Sequence, residues 1–257
     1  MLPLPIKQRV RESFGRAATS YDSAAIVQRR VCERLLAEFK PVAQGPQRIL
    51  DAGCGTGYGA RLLRGRWPET RLTGVDFAPA MLDLARHHSH ANCAADIEAL
   101  PFADSAFDLW WSSLSIQWCD AGRVFAEAAR VLAPGGQLAV SSLGPETFVE
   151  LRQAFSGVDR HRHTLEFSNP DHLAGALAQA GFKNIRLIRE THAVYYPDLK
   201  TLLRAVKAIG AQNVGEGGRS GMMGRIAWQR VETAYEHFRE KDGLPASYDV
   251  ILIYANQ

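Results

Sequence analysis

The chain has 257 residues, a formal net charge of +3, 46% hydrophobic residues and 22% charged residues. These values are those of an ordinary globular protein, and the charge excess is too small to argue for nucleic-acid binding. No apolar run is long enough to cross a bilayer, and residues 1–11 lack the apolar core of a signal peptide. The four cysteines are scattered without a Cys-x-x-Cys pair, which argues against a zinc site or a disulfide framework and favours a cytoplasmic protein.

The N-terminal stretch is expected to be helical. Apolar and basic residues over 6–20 predict a short helix that breaks near Ser20. A second helix is predicted between Ser23 and Lys40, where apolar residues recur at helical spacing. Gln44-Gly45-Pro46 then interrupts the chain before the first strand.

Strands and helices alternate in the part of the chain that follows. Strands are predicted at 48–52, 71–76, 107–112 and 137–142, and one more strand ends at 94–96. The helices between them are predicted at 57–65, 79–88 and 121–132. This alternation is typical of an α/β protein with a doubly wound, mainly parallel sheet.

The alternation loosens after Leu143. The predicted elements are helices at 145–155 and 170–180, a strand at 184–195, an amphipathic helix from Asp198 to Ile209, a glycine-rich loop at 210–221, a helix at about 222–240 and a last strand at 248–254. The last two strands therefore bracket a helical insertion, which we place at about 197–243.

A glycine-rich turn follows the first strand directly, in the sequence Asp51-Ala52-Gly53-Cys54-Gly55-Thr56-Gly57. A strand, a glycine turn and a helix start together describe a nucleotide-binding corner. A dinucleotide fingerprint fits poorly, because its third small residue falls on Tyr58 when counted from Gly53. Counted from Gly55 it falls on Ala60, which leaves Gly53 and Asp51 unexplained. A P-loop is excluded because no Gly-Lys-Ser/Thr follows.

This turn resembles motif I of the class I S-adenosylmethionine (SAM) methyltransferases. The resemblance implies a seven-stranded Rossmann-like sheet with an antiparallel last strand, and SAM as the cofactor. It places Gly53, Gly55 and Gly57 against the methionine and ribose parts of SAM. It gives Asp51 the role of supporting the turn beside the SAM amino group.

Two further acids follow strand ends. Asp76 can accept two hydrogen bonds from a ribose diol, although a helix N-cap before Pro79 is the alternative. Asp96 and Ile97 match the part of the family that binds adenine through its exocyclic amine, but Asp96 could instead form a loop Asx turn.

Other residues are assigned to the cofactor by the same resemblance. Phe77 follows the ribose-binding acid, and Met81 would line the other face of the adenine or belong to the core. Ser113 and Leu114 follow the fourth strand, where the loop of the family lines the active site. Trp118 is either a wall of that pocket or a packing residue.

Sequence motifs outside motif I distinguish between methyltransferase families. Phe14-Gly15-Arg16-Ala17-Ala18 with Tyr21, then Gln117-Trp118-Cys119, and Leu203 to Ala211 resemble the malonyl-[acyl-carrier protein] O-methyltransferases of biotin synthesis. The resemblance runs from about residue 8 to the C-terminus, and departs from the family where Ala208 replaces a glycine. It implies methylation of the free carboxylate of a malonyl thioester, carried by acyl-carrier protein or by CoA.

Such a reaction needs orientation more than proton transfer. A carboxylate with a pKa of about 4 is ionised at pH 7, so no general base is required. The protein must hold the carboxylate in line with the methyl group, and one or two cations or hydroxyl donors suffice. Our candidates are Arg16, Tyr21, Arg152 and Lys207, each of which could also be an ordinary surface or capping group.

An acyl-carrier protein is acidic, and Lys200, Arg204 and Lys207 share one face of the helix predicted from Asp198 to Ile209. That face could bind the carrier, reach into the pocket, or simply be solvated. We expect neither a nucleic-acid nor a membrane partner, and no metal. The alternative functions are methylation of another small acid or of a quinone precursor; RNA methylation, or SAM binding without turnover, fits less well.

These observations predict one SAM-dependent methyltransferase domain over 1–257. Within it, 1–45 would form a helical lid, 46–143 the SAM-binding core, and 144–257 a substrate half with the helical insertion.

Overall fold

A computed structural model of the protein describes residues 4–42, 45–209 and 223–257. Two helices, α1 (Leu4–Ala24) and α2 (Ile26–Glu38), precede the sheet. The strands are β1 (Arg48–Ala52), β2 (Arg71–Asp76), β3 (Ala91–Ala94), β4 (Phe107–Ser113), β5 (Leu132–Leu143), β6 (Lys183–Tyr196) and β7 (Leu244–Asn256). The other helices are α3 (Tyr58–Arg66), α4 (Pro79–Ala85), α5 (Ala121–Val131), α6 (Val149–Ser156), α7 (Pro170–Gln179), α8 (Leu199–Ala208) and α9 (Arg225–Glu236), with a 3₁₀ turn at Ile116–Trp118.

The seven strands form one sheet in the order β3-β2-β1-β4-β5-β7-β6. The first five strands pair in parallel, and β7 runs antiparallel to both β5 and β6. The strand order reverses beside β1, so the carboxyl ends of β1 and β4 open a crevice at the point where doubly wound sheets bind ligands. The expected fold is therefore confirmed.

The N-terminal helices differ from the prediction in one respect. α1 continues through Ser20 to Ala24, because no glycine or proline interrupts the helix there. The break falls at Ala25, whose backbone leaves the helical region (φ −81°, ψ 47°).

Other boundaries also shift. β5 begins at Leu132, five residues before the predicted start at 137, and includes Gly135 at φ 77°. α6 begins only at Val149, after Phe148 in the left-handed region (φ 57°). α9 begins at Arg225; the glycine-rich loop predicted at 210–221, including Gly210-Ala211, lies outside the described residues.

The sheet separates two apolar layers, because side chains on successive strand positions point to opposite faces. Trp110 and Trp111 of β4 are both fully buried, and each belongs to a different layer. α2 lies in the layer of Trp111, where the Tyr254 hydroxyl of β7 donates to the Leu35 carbonyl at 2.9 Å. α2 is thereby attached to the far half of the sheet.

Within the described ranges, the helices include none that combines the length and apolar character needed to cross a membrane. All four cysteines are free thiols.

Candidate active site

The glycine turn after β1 is anchored on β2. The amides of Gly53 and Cys54 both donate to the Val75 carbonyl, at 2.7 and 2.9 Å. Gly53 has a φ of 76°, a left-handed conformation that glycine adopts far more readily than other residues. The turn therefore has a defined shape at the carboxyl end of the sheet.

Position 53 also requires a glycine because the Ser115 side chain lies against it. A Cβ at this position would lie 2.2 Å from the Ser115 Oγ and 2.5 Å from its Cβ. The Ser115 hydroxyl donates to the Gly53 carbonyl at 3.1 Å. The loop after β4 thus packs directly on the turn after β1.

Asp76 links the same turn to the start of α4. Its Oδ2 accepts from the Gly55 amide at 3.0 Å, and its Oδ1 accepts from the Ala78 amide at 2.8 Å. The N-cap residue of α4 is Ala78, so Asp76 does not cap this helix. Each carboxylate oxygen can accept a second hydrogen bond, which leaves capacity for a ribose diol.

Two buried carboxylates give the crevice its charge. Burial, together with the negative charge of Asp76, raises the pKa of Asp51 to about 7. Burial raises the pKa of Asp76 to about 6, partly offset by the backbone amides that donate to it. The Asp51 Oδ2 is buried without a hydrogen-bond partner within the described ranges. A ligand with an ammonium group and a sulfonium group, as in SAM, fits such an acidic site.

The other end of the crevice is held by α1. Lys7 Nζ lies 2.6 Å from the Asp96 Oδ2 and 2.7 Å from the Glu98 Oε1. Burial lowers the pKa of Lys7, but hydrogen bonds to both carboxylates outweigh this and raise it above its ordinary value. Asp96 also forms an Asx turn, which the sequence analysis gave as its alternative role. Its Oδ1 accepts a hydrogen bond from the Glu98 amide at 3.0 Å.

These residues surround a cavity that is partly open to solvent, here called the cofactor cavity. Ten residues assigned to SAM from the sequence line it: Asp51, Gly53, Gly55, Asp76, Phe77, Met81, Asp96, Ile97, Ser113 and Leu114. Met81 is also 2% exposed and packs with Ala18 and Ala78, so it belongs to the core as well as to the cavity wall. Gly57 is placed differently: it is the N-cap residue of α3 and does not line the cavity.

The N-terminal helices supply lining residues that the sequence did not suggest. Lys7 and Asp22 come from α1, and Gln28 and Arg29 from α2. The Thr56 hydroxyl in the glycine turn donates to the Asp22 Oδ1 at 2.6 Å. α1 is therefore attached at both ends of the cofactor cavity.

A second cavity shares lining residues with the first and is here called the acceptor cavity. Its walls are mainly apolar, with Lys207 and His163 among the polar lining residues. Five residues line both cavities and form what we call the junction: Phe14, Tyr21, Gln28, Leu114 and Trp118. Trp118 is thus a pocket wall, and it contacts Phe14 edge to face with ring centroids 5.5 Å apart.

The four substrate candidates separate into two groups. Tyr21 is at the junction and Lys207 lines the acceptor cavity. The Arg16 side chain is 65% exposed, pairs with Glu12 and lines neither cavity. It projects from the opposite side of α1 to Phe14 and Tyr21.

Arg152 is likewise not brought to a cavity. Its guanidinium donates to the Thr147 carbonyl and, at 2.6 Å, to the Pro145 carbonyl. Because α6 begins only at Val149, Arg152 lies one turn into the helix, where it braces the preceding loop. Neither Arg152 nor Arg16 is thus among the residues that line the two cavities.

The strand order, the antiparallel β7 and the acidic glycine-lined crevice define a class I SAM-dependent methyltransferase. A family model described as a methyltransferase domain matches residues 50–140. Among solved structures, the YcgJ protein from Bacillus subtilis aligns with a TM-score of 0.61 at 18% identity, covering 89% of this chain and 98% of that chain. A possible histamine N-methyltransferase from Thermotoga maritima aligns with a TM-score of 0.56 at 17% identity, covering 96% and 99%.

Relatives of known name indicate which family of methyltransferases the chain belongs to. A malonyl-[acyl-carrier protein] O-methyltransferase from Dechloromonas aromatica is 48% identical over 98% of this chain and 95% of its own length. One from Laribacter hongkongensis is 43% identical over 97% and 89%. The chain belongs to the malonyl-[acyl-carrier protein] O-methyltransferase family, and its methyl donor is SAM. A bifunctional biotin biosynthesis protein, BioHC, from Cellvibrio japonicus is 41% identical over 95% of this chain and 49% of its own length.

Proposed function

We propose that this enzyme transfers the SAM methyl group to the free carboxylate of a malonyl group carried by acyl-carrier protein, in the biotin pathway. The products are the methyl ester and S-adenosylhomocysteine. The observation that carries the proposal is the junction, where an acidic cofactor cavity meets a mainly apolar acceptor cavity. The names of relatives that match almost the whole chain support the same substrate.

The chemistry fits the side chains at the junction. The malonyl carboxylate is already ionised near neutrality, so the protein has only to orient it and exclude water. Burial, with the charges of Asp76 and Asp22, raises the pKa of Tyr21. The Tyr21 hydroxyl therefore keeps its proton and is available as a donor to the carboxylate.

The acceptor cavity suits the carrier arm. Lys207 is exposed at its rim on α8, and Lys200 and Arg204 are exposed on the same helix. An acidic carrier protein would be attracted to this basic face. Malonyl-CoA carries the same acyl group and is the alternative acceptor. We expect it to react more slowly because it lacks the contact between the carrier protein and the basic face.

Incubation with radiolabelled SAM tests this function. Malonyl-carrier protein should give a base-labile methyl ester, malonyl-CoA less of it, and acetyl-carrier protein none. Methylation of another small acid or of a quinone precursor, with no ester on either malonyl thioester, would overturn the proposal.

Lys207 is expected to attract the malonyl carboxylate as it enters. Lys207→Met should lower kcat/KM for malonyl-carrier protein about tenfold, since a charge-assisted contact is lost. SAM affinity by calorimetry should not change, because Lys207 lines only the acceptor cavity. Lys200→Met, on the same helix but away from both cavities, is the matched control. Equal losses in the two variants would indicate general attraction of the carrier instead.

We further propose that residues 1–45 act as a lid within a single domain, over a SAM-binding core and a substrate half. α1 lines the cofactor cavity and is fastened by Lys7 at one end and Asp22 at the other. The compartment we propose is the cytoplasm, which suits the free thiols.

Lys7 gives a direct test of the lid. Lys7→Met removes two ion pairs, one of them to Glu98, whose side chain is only 5% exposed. SAM should dissociate about three to ten times faster, as measured by stopped-flow fluorescence. Arg11→Met, at an exposed position of α1, should leave the rate unchanged. An unchanged rate in Lys7→Met would argue against a lid held at this end.

A further inference from the structure

The junction contains no charged side chain among the described residues. Its five members are aromatic, aliphatic or neutral polar. Cations lie nearby but line only one cavity each: Lys7 and Arg29 the cofactor cavity, and Lys207 the acceptor cavity. The carboxylate and the methyl group would therefore meet among uncharged side chains.

Uncharged surroundings at the junction suit a reaction in which two opposite charges disappear. A carboxylate anion and a sulfonium cation both lose their charge as the methyl group moves, so a third charge placed between them would interfere. A cation there would repel the sulfonium and would stabilise the carboxylate most strongly before the reaction. Neutral hydrogen-bond donors can fix the direction of the carboxylate without either effect.

Three junction residues can donate hydrogen bonds from an uncharged side chain: Gln28, Tyr21 and Trp118. Of these, Gln28 carries two donor hydrogens on one amide nitrogen. Gln28 lies in the first turn of α2, and Cys32, one turn later on the same face, also lines the cofactor cavity. Gln28 is half-buried and lines both cavities. Its carboxamide is therefore open to the space where the two cavities meet and can donate to a ligand bound there.

We propose that the Gln28 carboxamide donates to the malonyl carboxylate and, with the Tyr21 hydroxyl, orients it toward the SAM methyl group. This inference rests on the proposed function and deepens it. It also assigns selectivity, because an acetyl thioester has no carboxylate to accept these bonds. Gln28 then distinguishes malonyl from acetyl thioesters at the reacting end, while Lys207 acts at the rim.

Binding measurements on matched ligands test Gln28. The full-length protein is saturated with S-adenosylhomocysteine, and the Kd values of malonyl- and acetyl-carrier protein are measured by calorimetry. Gln28→Met keeps the length of the side chain but removes both donors. It should weaken the malonyl form about tenfold or more and leave the acetyl form within about twofold. Gln28→Glu should weaken the malonyl form further, because two carboxylates then face each other. Arg30→Met, at an exposed position of α2, should change neither.

The outcomes separate this inference from the proposed function. If the wild-type protein neither prefers malonyl- to acetyl-carrier protein nor methylates it, the proposed function fails and the inference with it. If the wild-type protein does both but Gln28→Met weakens the two ligands equally, or neither, the inference alone is overturned. A fall in SAM affinity as large as the fall in malonyl affinity would place the amide on the cofactor and also overturn it.

Discussion

Gly53→Ala should strongly weaken SAM binding. The added methyl group meets the Ser115 Oγ at 2.2 Å and its Cβ at 2.5 Å, so rotation of the hydroxyl alone does not relieve the overlap. The backbone is also held at φ 76°, which disfavours alanine. Left-handed strain and overpacking together amount to about 2–5 kcal/mol. We expect SAM affinity, measured by calorimetry, to fall about a hundredfold or more.

Two variants isolate the cause. Gly135→Ala imposes nearly the same backbone strain, at φ 77°, but its added Cβ meets nothing within 4 Å. It should lower the melting temperature slightly and leave SAM affinity unchanged. Ser115→Gly removes both clashing atoms, so the double variant Gly53→Ala/Ser115→Gly should recover part of the lost affinity. No recovery in the double variant would show that the overlap with Ser115 is not the reason for the loss.

SAM affinity should fall steeply as the pH is lowered. In the free protein Asp51 has a pKa of about 7 and Asp76 of about 6, so both carboxylates take up protons between pH 8 and pH 5. A cationic ligand prefers their ionised forms, so binding releases protons, and affinity is highest above pH 7. If SAM binds only the doubly ionised form, the Kd should rise about a thousandfold from pH 8 to pH 5.

Calorimetry in buffers of different ionisation enthalpy measures the protons released on binding directly. Release should be near zero at pH 8 and should increase toward about two protons as the pH is lowered to 5. Asp51→Asn should bind SAM weakly at every pH and lose the upper part of the pH dependence. A Kd that is constant from pH 5 to pH 8, with the protein folded throughout by circular dichroism, is the result that would contradict these pKa values.

The part of the site that follows strand ends could be predicted from the sequence. Asp51, Asp76 and Asp96 each come after a short apolar run, and the carboxyl ends of parallel strands meet at one edge of a sheet. The glycine turn adds a local backbone requirement that is visible in the residue types. These features need only the order of strands and helices, which the alternation of patterns provides.

The part of the site that comes from helices could not be predicted in the same way. Lys7, Asp22 and Gln28 face the cofactor cavity because of how α1 and α2 pack against the sheet, and no local pattern records that packing. Arg16 and Arg152 show the reverse case, since guanidinium groups suit a carboxylate chemically but these two side chains line neither cavity. Residue type indicates what a side chain can bind, while its direction depends on contacts between distant segments.

The attachment of α2 to β7 bears on the order in which a nascent chain becomes functional. The hydrogen bond from Tyr254 to Leu35 joins residues 219 positions apart, so α2 leaves the ribosome long before the strand that holds it has been made. Gln28 is translated early, yet one of the contacts that holds its helix forms only when β7 has joined the sheet. A chain whose translation stops before β7 would therefore contain every residue of the glycine turn and still lack this attachment of α2.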